Sequence, residues 1–267
     1  MAMNVETKGN AETITIVLVH DAFMDGGSWS HVIPLLQDDG LRVIAIQNPL
    51  TSLREDIATT RRVVETQPGP VVLVGHGYGG AVITAAAVAA GNVRALVYVA
   101  AFAPDDGEHL QGLLIAHPSR LATALVSDSA SFLSIDRAKF GEVFAGDVSR
   151  REREAMAVAQ KPIHSDILTQ VFGAPAWREV PSWYLVATED QAINPTLQRM
   201  FAARMDATSH EIKTSHAAFA SNPVAVDGII QAAVASIDRP IVADRPLASR
   251  LRIQPVVQRA WSKPTIH

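Results

Sequence analysis

Apolar runs and polar breaks alternate along this chain with the spacing of an α/β protein. Residues 13–20, Thr-Ile-Thr-Ile-Val-Leu-Val-His, form a run rich in β-branched residues that predicts a central strand. A helix is expected from about Trp29 to Gln37, stopped near Gly40, and a second strand from Arg42 to Gln47. Ser52 with Glu55 three residues later has the form of a capping box and opens a helix to about Thr66. Pro70 to Val74 is again apolar without a break. Glycines then end the run, and Ala81 to Ala90 is almost all Ala, Val, Ile and Thr, as a helix packed closely on a sheet would be. Strands at 95–102 and 181–188, a helix at 195–205, a strand at 210–214 and a helix at 223–237 complete the series. Such alternation predicts a doubly wound, mostly parallel sheet.

Between about Gly107 and Trp177 the alternation stops. The sequence there is helical in character but irregular, anchored by residues such as Leu110, Leu113, Phe140 and Phe144. An insertion of that length between two sheet strands reads as a cap that excludes water and selects substrate. The expected organisation is a core of residues 1–106 and 178–237, a helical cap of 107–177, and a basic extension of 238–267.

Composition narrows the partners. The net charge is −4, yet residues 238–267 carry six Lys/Arg against two Asp, which leaves an acidic body and argues against nucleic acid. There is no cysteine, so disulfides and thiolate metal sites are excluded. The nine histidines show no ligand spacing, and no metal is expected. Nothing at the start resembles a leader and no apolar run reaches spanning length, which predicts a cytoplasmic protein with no membrane partner. A homodimer is left open.

The turn Gly75-His76-Gly77-Tyr78-Gly79-Gly80 admits two readings. Letter for letter it is the dinucleotide fingerprint G-x-G-x-x-G, which expects an acid about 20 residues on to hold the ribose. The strand at 95–102 has none, and a full strand-helix-strand-helix unit precedes the turn. Strand, turn and buried helix also resemble the nucleophile elbow G-x-S-x-G of the α/β-hydrolase fold, with Gly77 in place of the serine. The resemblance runs over about residues 13–237 and is greatest to the small capped esterases, lactonases and hydroxynitrile lyases.

That resemblance implies a site in the order nucleophile, acid, histidine, on Gly77, Asp190 and His216. His216 would be a neutral imidazole with an ordinary pKa near 6.5, working as a base. Asp190, five residues before Pro195, is preferred to Glu189 as the acid that orients it, with Asp105 as the alternative. The backbone N–H groups of Ala22 and Tyr78 would form the oxyanion hole. His20-Asp21 is a second departure, since esterases of this kind commonly read His-Gly there. Asp21 reads either as a second acid/base, its pKa raised by desolvation, or as a turn-forming residue.

Three functions follow. One is an enzyme doing cofactor-free acid/base chemistry (lyase, isomerase, cyclase or direct water attack) on a small apolar carbonyl or hydroxylated substrate. The second is a serine esterase or lactonase inactivated by glycine at position 77. The third is a non-catalytic binding protein for a small molecule.

Overall fold

The structure, a computed structural model, describes residues 13–237, so the basic segment 238–267 lies outside it. β1 (Thr15–Val19), β2 (Arg42–Ala45), β3 (Val71–His76) and β4 (Val93–Val99) lead into an insertion, described below, after which β8 (Ser182–Ala187) and β9 (Thr208–Ile212) complete the sheet. The order is β2-β1-β3-β4-β8-β9, and every pairing is parallel. This is the α/β-hydrolase fold. β1, β3 and β8 are buried at every residue, which explains their unbroken apolar runs.

Helices α1 (Ile33–Asp38), α2 (Leu53–Glu65), α3 (Tyr78–Ala86), α7 (Pro195–Arg204), α8 (Ala218–Ser221) and α9 (Pro223–Ile237) flank the sheet. The helix expected over 29–37 is instead a 3-10 turn at Gly26–His31 followed by α1. Pro34 explains the break, because a ring without an N–H is accommodated only in the first turn of a helix. Ser52 caps α2 by accepting the Glu55 N–H at 3.2 Å. The Glu55 carboxylate takes the Thr51 hydroxyl rather than returning to Ser52.

The insertion between β4 and β8 corrects the expectation of a helical cap by adding strands to it. It holds α4 (Leu110–Ala116), α5 (Arg137–Val143) and α6 (Arg150–Val158), but also β5 (Leu125–Ser127), β6 (Phe132–Ile135) and β7 (Ile163–His164) in a small antiparallel sheet. Asp128 makes the turn that pairs the first two, accepting from Ala130 N–H at 2.8 Å and Phe132 N–H at 2.9 Å. These strands are only two to four residues long and mostly half-exposed, so they leave little alternation to detect.

Close packing of α3 on the sheet accounts for the glycines of the turn. A Cβ on Gly75 would lie 2.6 Å from the Gly79 backbone, and one on Gly79 only 2.3 Å from the Val19 carbonyl. Steric demand alone is enough to require glycine at both positions.

Arg204 ties the two ends of the insertion to the core. Its guanidinium donates to the Glu108 carboxylate at 2.8 and 2.7 Å and to the Ala103 carbonyl, and lies 5.6 Å over the Trp177 ring. Arg204→Ala should cost on the order of 2 kcal/mol and lower Tm by about 4–8 °C in calorimetry. An unchanged Tm would show that the insertion is held elsewhere.

Candidate active site

Five residues at the carboxyl ends of four strands meet above the sheet, where an open parallel sheet presents its ligands. Asp21 follows β1, Gly77 and Tyr78 join β3 to α3, Asp190 follows β8, and His216 follows β9. Gly77 turns the chain with φ 54° and ψ −120°, a left-handed conformation that glycine adopts without strain.

The space above Gly77 is filled by Asp21. A Cβ built on Gly77 would stand 2.0 Å from Asp21 Oδ1 and 2.1 Å from its Cγ, so this carboxylate and any side chain at position 77 exclude one another. Oδ1 accepts the backbone N–H of Tyr78, the first residue of α3, which places the anion at a helix N-terminus. Oδ2 lies 3.0 Å from His216 Nε2. His216 Nδ1 lies 2.6 Å from Asp190 Oδ2. Asp190 is itself saturated, accepting from Ala192 N–H at 2.7 Å, Ile193 N–H at 2.9 Å and Gln198 Nε2 at 2.7 Å. Relative exposures are 5% for Asp21, 2% for Asp190 and 1% for His216, so water does little to screen the charges.

Two sequence-based expectations about proton affinity are reversed by this arrangement. Burial alone would discharge His216, but the Asp190 and Asp21 carboxylates on its two nitrogens outweigh it and raise the pKa to about 10. At neutral pH the ring is an imidazolium held between two anions. Burial alone would raise Asp21, but its bonds to His216 and Tyr78 and the imidazolium charge hold it below the usual carboxylate range. Tyr78 also differs from expectation: its N–H, read as an oxyanion donor, is already bonded to Asp21. Ala22 lines the cavity beside it.

The alternative acids lie apart from this cluster. Asp105 pairs with Arg178 at 2.5 Å, and Glu189 with Lys213 at 3.4 Å, both on the surface.

Several supporting groups carried no signal in the sequence, because their partners are remote along the chain. Buried His20, its pKa lowered by desolvation, places Nδ1 2.8 Å from the Asp21 carbonyl and accepts the Asn48 N–H on Nε2 at 3.0 Å. That clamps the backbone that aims the Asp21 side chain. Asp56, which burial raises to about 6, accepts the Tyr78 hydroxyl at 2.7 Å and the Leu50 N–H at 2.9 Å. Asp147 accepts the Ser215 N–H at 2.9 Å and the Thr214 hydroxyl at 2.8 Å, fixing the loop that carries His216.

His76 is buried beneath His216, ring centroids 4.5 Å apart, with Nε2 2.8 Å from the His216 carbonyl; desolvation lowers its pKa to about 3. Asp21, His76 and His216 bring ligand atoms within 4.8 Å of one another, a grouping that linear spacing concealed. Both His216 nitrogens face carboxylates and His76 Nε2 faces a carbonyl, whereas buried His76 Nδ1 has no hydrogen-bond partner; a cation between Asp21 and His216 would displace the bond that joins them.

Asp21 and His216 open onto a cavity of about 40 Å³, otherwise walled by apolar groups including Phe23, Phe102, Leu114, Leu125, Phe144 and Ile193. That volume suffices for a few waters at about 10–15 Å³ each, so a larger ligand must displace side chains of the insertion.

Residues 16–228 match the alpha/beta hydrolase family, and the chain belongs to it. It is 33% identical over 111 residues to a carbendazim hydrolyzing esterase of Nocardioides sp. (strain SG-4G), covering 37% of this chain and 46% of that protein. To putative methylesterase 11, chloroplastic, of Arabidopsis thaliana it is 24% identical over 247 residues, covering 82% and 63%. The chain thus spans less than two thirds of the length of these two relatives. Among solved structures, a pyrethroid hydrolase from Sphingobium faniae JZ-2 superposes with a TM-score of 0.73 at 22% identity, covering 85% of this chain and 100% of that one. Polyneuridine aldehyde esterase does so with 0.72 at 18%, covering 85% and 100%. At these identities the likeness is one of fold. Among the described residues, no helix is long and apolar enough to cross a membrane.

The raised pKa of His216 has a measurable sign. A base whose folded pKa exceeds its unfolded value of about 6.5 stabilises fully below that pH and loses the contribution as pH rises through the folded value. Urea midpoints of the wild type should therefore fall between about pH 6.5 and about 10, and those of His216→Gln should fall less. Parallel curves would mean that the ring is not held as a cation.

Proposed function

We propose that this chain is an α/β-hydrolase-fold enzyme working without a serine nucleophile. In this reading it performs cofactor-free acid/base chemistry on a small, largely apolar carbonyl or hydroxylated substrate. The observation that carries the reading is the Asp21 carboxylate over Gly77, bonded at 3.0 Å to a histidine that Asp190 supports from behind. The reactive side chain stands on the neighbouring strand end instead of on the elbow.

His216 is then the acid and Asp21 the base. A substrate oxygen entering between them breaks the hydrogen bond that depresses Asp21, and the carboxylate becomes a stronger base as its partner turns to the substrate. Asp21 takes a proton from the substrate or from a water, and the His216 imidazolium delivers one to the oxygen that gains charge. Asp190 keeps the ring oriented and stabilises the cation until the proton is lost. The insertion acts as a cap, and its apolar wall keeps these charges strong by excluding water. Lyase, isomerase, cyclase and direct water-attack chemistry share this proton inventory. The esterases among the relatives favour a carbonyl-bearing substrate.

An esterase inactivated by a single serine-to-glycine change is the second reading, and the clash at position 77 counts against it. A serine there would be incompatible with Asp21 as placed, so a change at position 77 alone does not account for the arrangement. A binding protein would leave the buried His216–Asp190 pair without a task.

With a substrate found by mass-spectrometric screening, His216→Ala should lower turnover by about 10²–10⁴-fold. Gly77→Ser alone should not cleave p-nitrophenyl esters, whereas Gly77→Ser combined with Asp21→Gly should gain measurable cleavage. Rapid cleavage by Gly77→Ser alone would overturn the proposal in favour of an inactivated esterase.

A further inference from the structure

An inventory of donors and acceptors facing the cavity carries the site further. A carboxylate offers only acceptors, with about four lone-pair positions. Asp21 uses one on the Tyr78 N–H and one on His216 Nε2, so acceptor capacity remains on a residue that lines the cavity. The side-chain donors and the Tyr78 N–H are committed, and of the two donors read for an oxyanion hole only the Ala22 N–H is left at this wall. Tyr78 N–H and His216 Nε2 face Asp21, His216 Nδ1 faces Asp190, and the N–H groups of Ala192 and Ile193 face Asp190. The Tyr78 hydroxyl donates away from the cavity, to Asp56.

A site of this fold built to stabilise an oxyanion presents donors at the N-terminus of the helix after the elbow. Here an anion belonging to the protein already holds that position. An anionic ligand would meet the Asp21 carboxylate in an apolar enclosure where like charges repel strongly. An ammonium ligand would surrender its hydration to a carboxylate already compensated by the α3 N-terminus and the imidazolium, and such desolvation is poorly repaid.

We infer that the cavity selects a neutral hydroxyl-bearing ligand, an apolar alcohol or enol whose O–H donates to Asp21, and rejects carboxylates. The selection rests on the functional reading above for its consequence in turnover, but as a binding property it stands on the geometry alone. Within that reading the hydroxyl is the group whose proton Asp21 removes.

The test is calorimetric titration with four probes on one apolar body: 2-phenylethanol, ethylbenzene, phenylacetate and 2-phenylethylamine. Each must displace cap side chains to a similar extent, so that cost cancels in the comparison. On the wild type at pH 7.5, 2-phenylethanol should bind about tenfold or more tighter than ethylbenzene, the ratio expected for a hydrogen bond to a charged acceptor. Phenylacetate should bind more weakly than either. Asp21→Ala frees Tyr78 N–H and His216 Nε2, and the order should invert, with phenylacetate becoming the tightest and its carboxylate taking the place of the missing one. The inference is overturned by equal binding of the alcohol and ethylbenzene, by phenylacetate or the amine leading on the wild type, by an unchanged order in Asp21→Ala, or by no binding of any probe. None of these measurements involves turnover. A failure here therefore leaves the acid/base reading to its own test, and an inactive role for His216 leaves the ligand preference intact.

Discussion

A carboxylate from the end of β1 and a side chain on the elbow cannot occupy the same volume, and the rest of the site follows from which of them is present. With glycine at position 77, Asp21 reaches across to the N-terminus of α3 and takes the Tyr78 N–H. From there its second oxygen meets His216, whose other nitrogen rests on Asp190. The same arrangement that leaves the elbow without a side chain therefore charges the histidine. In a site with a serine the imidazole faces a neutral hydroxyl and can stay neutral; between two carboxylates it cannot.

Holding an anion-cation-anion chain in a buried site demands saturation of its outer hydrogen bonds, because an unmet charge costs several kcal/mol. The protein meets that demand from both ends. Asp190 is surrounded by backbone N–H groups and Gln198, while Asp21 has the helix terminus and a backbone clamped by His20 and Asn48. Asp56 braces Tyr78 from the far side through its hydroxyl. These contacts fix the position of a carboxylate that would otherwise turn toward solvent, so that the cavity presents an acceptor where the family's esterases present donors.

Much of the fold was legible because local and global demands coincide. The run before the elbow is apolar at every residue because β3 is buried on both faces, and Gly75, Gly79 and Gly80 are forced by backbone approaches of 2.3–2.6 Å. Chain order pointed to Asp190 and His216, and the structure brings these two together with Asp21. The charge on His216 was not legible, since it depends on carboxylates 26 and 195 positions away. Nor was the direction taken by Asp21, whose two readings differ only in where a side chain points. The small sheet of the insertion escaped for a local reason: its strands are too short for a period of two to register, and the turn at Asp128 looks like any polar loop.

The most direct test is the amide proton resonance of Tyr78. If the Asp21 carboxylate accepts that N–H, the resonance lies far downfield in the wild type and exchanges slowly, and replacing Asp21 by asparagine moves it upfield. A Tyr78 amide at an ordinary shift that does not respond to Asp21→Asn would contradict the account, because the carboxylate would then lie elsewhere and the space above Gly77 would be open.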